Sequence, residues 1–269
     1  MSQWVQGGLE WSARSYHIEY RESVKSMDNL VITLSLQQLA LAFIPVALTV
    51  LVVVRWSMEA GNVLYALFRM LIQLLLVGYA LAWIFGAQSG WLILLVLAIM
   101  ILASSWIALR TVPERRWKLL TASLVSIVVG GGFTLVFTSQ AVLQLDPWYM
   151  PRYLVPLAGM VFANSMTAVS LAAERLYAEL EHGGSWGLAR DRAFQAAMIP
   201  VVNSLFAVGL VSLPGMMTGQ ILSGISPLVA ARYQIVVMCM IFTSAGLATA
   251  IFLSITQHVI AKESKTSSV

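Results

Sequence analysis

One stretch of this chain, between Ala196 and Ile225, is apolar enough to enter a bilayer but is interrupted by residues that a simple anchor does not need. Proline and glycine leave backbone groups that hydrocarbon cannot satisfy, so they persist where neighbouring helices or a hydrated cavity supply partners. Amide, hydroxyl and thioether groups beside such a break can contact a polar or soft cargo. The stretch therefore predicts a broken helix along a pathway, with candidate residues Asn203, Ser204, Pro214, Met216 and Met217.

A second polar group lies in an apolar run upstream, where Asn164 and Ser165 follow Met160 by about one helical turn. Side-chain amides and hydroxyls at this depth need partners. They either hydrogen-bond across helices, which contributes roughly 1 kcal/mol each, or they line the same pathway. The sequence leaves both interpretations open. Methionine in a membrane core usually serves packing, so Met160 is a weaker pathway candidate than Met216.

The composition requires several membrane spans to carry these residues. The chain of 269 residues is 59% hydrophobic and 10% charged, with a mean hydropathy of +0.82, which one soluble core cannot accommodate. A helix needs about 20 apolar residues to cross about 30 Å of hydrocarbon. The predicted fold class is all-α, a polytopic integral membrane protein with about seven transmembrane helices and a transmembrane domain at residues 30–257. The spans are predicted at Leu30–Val54, Val63–Phe85, Trp91–Leu109, Leu119–Thr138, Leu154–Ala173, Ala196–Pro214 and Tyr233–Gln257.

The distribution of Lys and Arg predicts the orientation, because both residues favour cytosolic loops. They concentrate in the connections after the first, third and fifth spans and in the tail after the seventh. We therefore expect residues 1–29 to form an extracytoplasmic tail, either an interfacial helix or poorly ordered, and residues 258–269 a cytosolic tail. The same bias accounts for the net charge of +4 without a nucleic-acid partner. The first 29 residues show no apolar core of a removable signal peptide.

The longest predicted cytosolic connection is the loop at residues 174–195, which reads ERLYAELEHGGSWGLARDRAFQ. Gly183 and Gly184 allow a positive φ at the end of the preceding helix, and Ser185 can cap a following one. At helical spacing, the side chains beyond that cap lie near one another, namely Ala189, Arg190 and Phe194. A solvated hairpin that only joins two spans would look the same.

Three blocks of this sequence resemble the Fet-type iron-export permeases, the membrane half of an ABC transporter, also described as uncharacterised protein family 0014. The most distinctive block is IPVVNSLFAVGLVSLPGMMTGQILSGISPLVAARYQI at Ile199–Ile235. The others are FRMLIQLLLVGYAL at Phe68–Leu81 and VPLAGMVFANSMTAVSL at Val155–Leu171. Their order and spacing extend the resemblance over about Leu30 to Gln257.

The resemblance implies a permease subunit in the bacterial inner membrane that exports iron from the cytosol as a homodimer. It also implies that residues 174–195 are a coupling loop, whose glycine turn precedes a short helix that docks in a cleft on a separate ATPase. The chain contains no G-x-x-x-x-G-K-[ST] phosphate cradle. No cofactor is therefore expected on this chain, and ATP and Mg²⁺ would bind to the ATPase.

Other functions remain alternatives at this stage. Plant relatives have been associated with aluminium tolerance and with a nucleotide sugar, so an ABC permease for a non-metal substrate stays open. A stand-alone ion channel or secondary carrier is another alternative, although such carriers tend to hold intramembrane carboxylates, and no Asp or Glu lies deep in a predicted span. A membrane enzyme needs a nucleophile and a base within reach of each other. His17, His182 and His258 are placed too far apart in the predicted topology to favour one, and no metal ligands are assigned.

Overall fold

The computed structural model describes residues 35–56, 60–86 and 89–266, so the predicted N-terminal tail and the last residues of the C-terminal tail lie outside the described residues. The described residues form α-helices and short 3₁₀ and π-helical segments, with no strand among them. Six of these helices are long and apolar enough to cross a membrane. The prediction of an all-α polytopic membrane protein is thereby confirmed, while the count of seven spans and the orientation stay predictions.

The described residues fall into two compact units. The first runs to Tyr79 and includes Leu222–Gly224. It contains α1 (Leu36–Leu41), α2 (Phe43–Trp56) and most of α3 (Ala60–Gly86). Ser35 starts α1 with a capping box, in which its hydroxyl accepts from the backbone N–H of Gln38 and the Gln38 side chain accepts in return. Pro45 has no N–H for the carbonyl of Leu41, which explains why α1 ends there and α2 begins.

The second unit, Ala80–Ile221 with Ile225 onward, holds the regions that sequence analysis marked as functional. The helices after α3 are α4 (Gly90–Ala108), α5 (Arg116–Ser126), α6 (Gly132–Val136), α7 (Pro151–Glu181), α8 (Trp186–Ala207), α9 (Gly215–Leu222) and α10 (Pro227–Thr266). The core of the second unit is built around the two long helices α7 and α10, which pack against each other. Between them they also pack against α4, α5 and α8.

The sixth predicted span, Ala196–Pro214, is wrong as a single helix. Helix α8 ends at Ala207, the chain turns through Gly209 at φ +82°, and a new helix starts at Gly215. The apolar part of α8, Ala193–Ala207, is only about 22 Å long, less than the hydrocarbon thickness. Pro200, a helix breaker by propensity, lies inside the continuous helix. The break therefore lies after α8, next to the Pro214-Gly215 pair.

The fourth span is a composite helix in which two π-helical segments, Ile127–Gly131 and Phe137–Val142, flank α6. Its glycines allow an unusually close approach to α10 at Gly130 and to α7 at Gly131. A Cβ atom built on Gly130 would lie 2.6 Å from the backbone nitrogen of Ala248, and one on Gly131 would lie 3.2 Å from the Val161 side chain. A Cβ on Gly132 would meet nothing within 4 Å. Only a glycine fits at position 130 with the helices at this separation.

We expect Gly130→Ala to lower the stability of the protein by about 1–3 kcal/mol, because the methyl group forces two packed backbones apart. Gly132→Ala is the matched control, and it should be neutral or stabilising by up to about 1 kcal/mol through helix propensity. Thermal unfolding of both variants in detergent measures the difference. Equal midpoints would contradict the close contact between Gly130 and Ala248.

Candidate functional site

The glycine turn of the predicted coupling loop has the geometry of a Schellman motif. The N–H of Gly183 donates to the carbonyl of Leu180 at 3.0 Å, and the N–H of Gly184 donates to that of Glu179 at 3.0 Å. Gly183 has φ +78°. A Cβ on Gly184 would lie 2.8 Å from the Glu179 carbonyl oxygen. The two glycines are thus required for different reasons, the first for its left-handed backbone and the second for space.

The residues after this turn do not form a separate short helix, contrary to the expectation from the resemblance. Ser185 occupies the N-cap position with extended backbone angles, but its hydroxyl makes no cap hydrogen bond. Helix α8 then runs without interruption from Trp186 to Ala207. The segment predicted to dock and the segment predicted to line the pathway are therefore two ends of the same helix.

An ionic contact holds the start of α8 against the end of α7. The carboxylate of Glu179, a buried residue, lies 2.6 Å from Nη1 of Arg192 and also pairs with Arg175 one turn earlier on its own helix. Both arginines are about half exposed, with side-chain exposures of 49% and 46%. A carboxylate shared by two guanidinium groups across a tight turn fixes the contact between the two helices.

The predicted docking residues separate into a buried and an exposed set. The methyl group of Ala189 is fully buried within this chain's own core, so it serves internal packing. Arg190 and Phe194 are exposed and line a groove of about 420 Å³ between α8 and α10. The Arg190 guanidinium donates to the neighbouring Asp191 carboxylate at 2.8 Å. The groove is completed by residues that the sequence did not single out, namely Gln195, Ala250, Leu253 and Ser254.

The pathway candidates outside α8 lie on α7 and at the start of α9. Met160 and Met216 are half-buried and pack against the same apolar core, which includes Leu157 and Val161. Asn164 donates to the Met160 carbonyl at 2.8 Å, on its own helix. The Pro214 carbonyl accepts from the backbone and the hydroxyl of Thr218 and so starts α9. Met217, also half-buried, follows directly.

Ser165, beside Asn164, shows the packing role that the sequence left open. It is fully buried, and its hydroxyl donates to the Ser244 carbonyl on α10 at 3.2 Å. This is a hydrogen bond between two helices of the kind that stabilises membrane bundles. Ser165 is therefore committed to packing, whereas Asn164 is only half-buried and keeps part of its amide accessible.

Asn203 and Ser204 lie on the exposed part of α8 and not against the core that contacts Met160 and Met216. The Ser204 hydroxyl donates to the Pro200 carbonyl at 2.9 Å. The Asn203 side chain has no hydrogen bond to any other residue in the described ranges. The structure thus does not bring all pathway candidates into one cavity within a single chain.

The candidate site offers neutral donors. Within the described residues, no group of three or more His, Cys, Asp or Glu side chains is placed to hold a metal ion. Cys239 is a free, exposed thiol on α10. Amide oxygens, hydroxyls and thioethers are the groups that a passing cation or polar solute could contact here.

The known proteins that are similar to this chain agree with one family model. The family model described as Uncharacterised protein family (UPF0014) matches residues 36–185 and 186–260. The chain belongs to the UPF0014 family. Probable iron export permease protein FetB of Escherichia coli is 34% identical over 232 residues, covering 80% of this chain and 88% of that protein. UPF0014 membrane protein YjkA of Bacillus subtilis is 33% identical, covering 74% and 85%. Protein ALUMINUM SENSITIVE 3 of Arabidopsis thaliana is 33% identical, covering 69% and 72%.

No solved structure matches this chain. Membership of the UPF0014 family confirms the resemblance found in the sequence, and it agrees with a multi-spanning membrane protein. The sequence missed the contact of Glu179 with Arg192, although the Arg175–Glu179 spacing of four residues is a recognisable helical ion pair. The groove residues on α10 carry no signal in the sequence alone, because they contact α8 only through the fold.

We expect Glu179→Gln to loosen the α7–α8 turn, because it removes a buried charge that two arginines share. Asp191→Asn is the matched control, since Asp191 is exposed and pairs only with its neighbour Arg190. Backbone hydrogen exchange across residues 180–190 should speed up in the first variant and stay unchanged in the second. Unchanged exchange in both variants would show that the ion pair does not hold this turn.

Proposed function

We propose that this chain is the membrane-spanning subunit of an ABC transporter in the bacterial inner membrane and exports iron from the cytosol. Two copies would form the transport pathway, and a separate ATPase would supply the energy. The relative named as a probable iron export permease supports the cargo and the direction, since this chain covers most of its length. In this proposal the chain itself is a transport subunit and carries out no reaction.

One observation carries the proposal: the groove at Arg190 and Phe194 and the amide of Asn203 lie on one continuous helix, α8, which runs through Pro200. The distance along the helix from Arg190 to Asn203 is about 20 Å. A partner bound in the groove could therefore move the membrane end of α8. This arrangement suits a subunit whose energy comes from another protein.

The groove has the features of a docking surface for such a partner. The aromatic ring of Phe194 lines the groove together with a charged pair, Arg190 and Asp191, and with small or apolar residues of α10. Aromatic and arginine side chains dominate the binding energy at protein interfaces. Arg192 lies next to the groove residues on α8, and its ion pair with Glu179 on α7 would hold this surface in place during ATP-driven movement.

The cargo test uses proteoliposomes that contain this chain and a candidate ABC ATPase from the same organism, with the ATPase facing the bath. We expect Fe²⁺ supplied in the bath to accumulate inside when ATP and Mg²⁺ are added. The control uses an ATPase whose phosphate-binding lysine is replaced. Iron should then not accumulate. If ATP hydrolysis depends on this chain but no iron accumulates, iron is rejected as the cargo. If there is neither ATP hydrolysis that depends on this chain nor iron accumulation, the ABC assignment is rejected.

The docking test compares charge reversal at two exposed arginines, one in the groove and one on the connection after α4. Arg190→Glu should abolish co-purification of the ATPase, because it reverses a charge in the proposed contact. Arg110→Glu makes the same change on the connection after α4, outside the groove, and should leave co-purification intact. Equal retention of the ATPase by both variants would place the contact elsewhere.

A further inference from the structure

Helix α8 has two faces of opposite character. Its buried face consists of Ala193, Ala197 and Val201, which are at most 5% exposed. The opposite face at helical spacing contains Ile199, Asn203 and Phe206, and Ile199 and Phe206 are 56% and 77% exposed. Between Ile199 and Phe206 this outer face is thus apolar except for one amide, and no other element of the second unit covers it.

The position of Asn203 along the helix is within the hydrocarbon layer. Ser244 lies at the middle of the α10 span Pro227–Ala261. Met198 on α8 lies against Gly246, two residues after Ser244, because a Cβ built on Gly246 would lie 3.7 Å from the Met198 Cε. Asn203 follows Met198 by about 8 Å along the helix axis. Because the hydrocarbon extends about 15 Å to either side of its midplane, this amide is well away from water at the surface.

Three other polar side chains near this depth hydrogen-bond within their own helix. Asn164 donates to the Met160 carbonyl, Thr167 to the Ala163 carbonyl and Ser204 to the Pro200 carbonyl, at 2.8–2.9 Å. The amide of Asn203 differs from these, since it has no partner among the described residues and lies on an exposed face. Thr249 on α10 also lacks a partner, but it is buried. A primary amide exposed to lipid without a partner costs several kcal/mol.

We propose that the outer face of α8 binds the same face of a second copy of this chain, with the two Asn203 amides hydrogen-bonded across a two-fold axis. The chemistry favours an identical partner, because an amide carries one acceptor and two donors and is therefore complementary to itself. A two-fold interface also pairs each patch with its own copy. Ile199 and Phe206 then surround the amide pair with apolar contacts. The inference rests on the proposed dimeric transporter and identifies its subunit contact.

While the two amides are bonded to each other, this contact would close the candidate pathway at Asn203. Each chain alone leaves Asn203 apart from the core that contacts Met160 and Met216. In the proposed dimer the partner copy contributes its own Asn203, so the amide layer is built from both chains. Movement of the two α8 helices would then change the separation of the two amides directly.

The chain offers a direct test, because Cys239 is its only cysteine. In a full-length Cys239→Ser background, we expect Ile199→Cys, Asn203→Cys and Phe206→Cys to form disulfide-linked dimers in native membranes on mild oxidation. Phe242→Cys, on the exposed surface of α10, is the control and should stay monomeric under the same conditions. Cross-linking at position 242 alone, or at none of the three α8 positions, would overturn the proposal.

A second measurement tests whether the two Asn203 amides bond to each other or are only close together. Asn203→Leu should weaken dimerisation in detergent about fivefold, the effect of losing an interhelical hydrogen bond in an apolar medium. Ser204→Ala removes a hydroxyl that is already bonded within its helix and should leave the dimer unchanged. An unchanged dimer in Asn203→Leu would refute the amide pair.

The outcomes also distinguish this contact from the transport proposal. Iron accumulation with the ATPase, but no cross-link on α8, would reject the interface and leave the function standing. Cross-links on α8 in a chain that binds no ATPase and moves no iron would keep the interface and reject the function. A lipid or another protein against α8 would appear as protection of position 203 without a disulfide-linked dimer.

Discussion

The contact of Glu179 with Arg192 is the constraint on which the functional half of the molecule depends. Only the pair with Arg192 joins the two helices, and if it breaks, this buried carboxylate keeps Arg175 on its own helix as its ionic partner, so the pair favours keeping the end of α7 and the start of α8 together. The Schellman turn between them adds two hydrogen bonds and needs no side-chain cap at Ser185. Because α8 continues unbroken to Ala207, a force applied at this junction reaches the membrane end of the helix.

Hydrogen-bond accounting explains much of the polar pattern in the membrane part of the second unit. Several hydroxyl groups of this unit donate to a carbonyl, either one turn earlier on the same helix, as Ser204 does, or on another helix, as Ser165 does. The buried hydroxyls of Thr249 and Thr256 have no hydrogen-bond partner among the described residues. At exposed or half-buried positions, Asn203 carries an amide and Met217 a thioether without such a hydrogen bond. Polarity in the sequence thus overstates the polarity that the folded chain presents.

Sequence reasoning predicted the features that depend on local chemistry. The apolar runs, the glycine turn at Gly183 and the break before Gly215 all follow from composition and backbone preference, and the structure contains each of them. The continuity of α8 was not predictable, because Pro200 is a helix breaker by propensity, yet the helix continues through it. The burial of Ala189 and the groove residues on α10 depend on contacts between distant segments, for which the sequence has no local signal.

The neutral chemistry of the candidate pathway bears on its energy source. A carrier driven by protons or by a coupling ion needs titratable or anionic groups that bind that ion during the cycle. Within the described residues, no group of three or more His, Cys, Asp or Glu side chains is placed to hold a metal ion. Neutral amide and thioether groups bind a cation weakly, which favours release, since a site that conducts must not hold its cargo too tightly. In the proposed function the energy for transport enters from outside the membrane part. The groove at the start of α8 is the surface through which the proposed ATPase would deliver it.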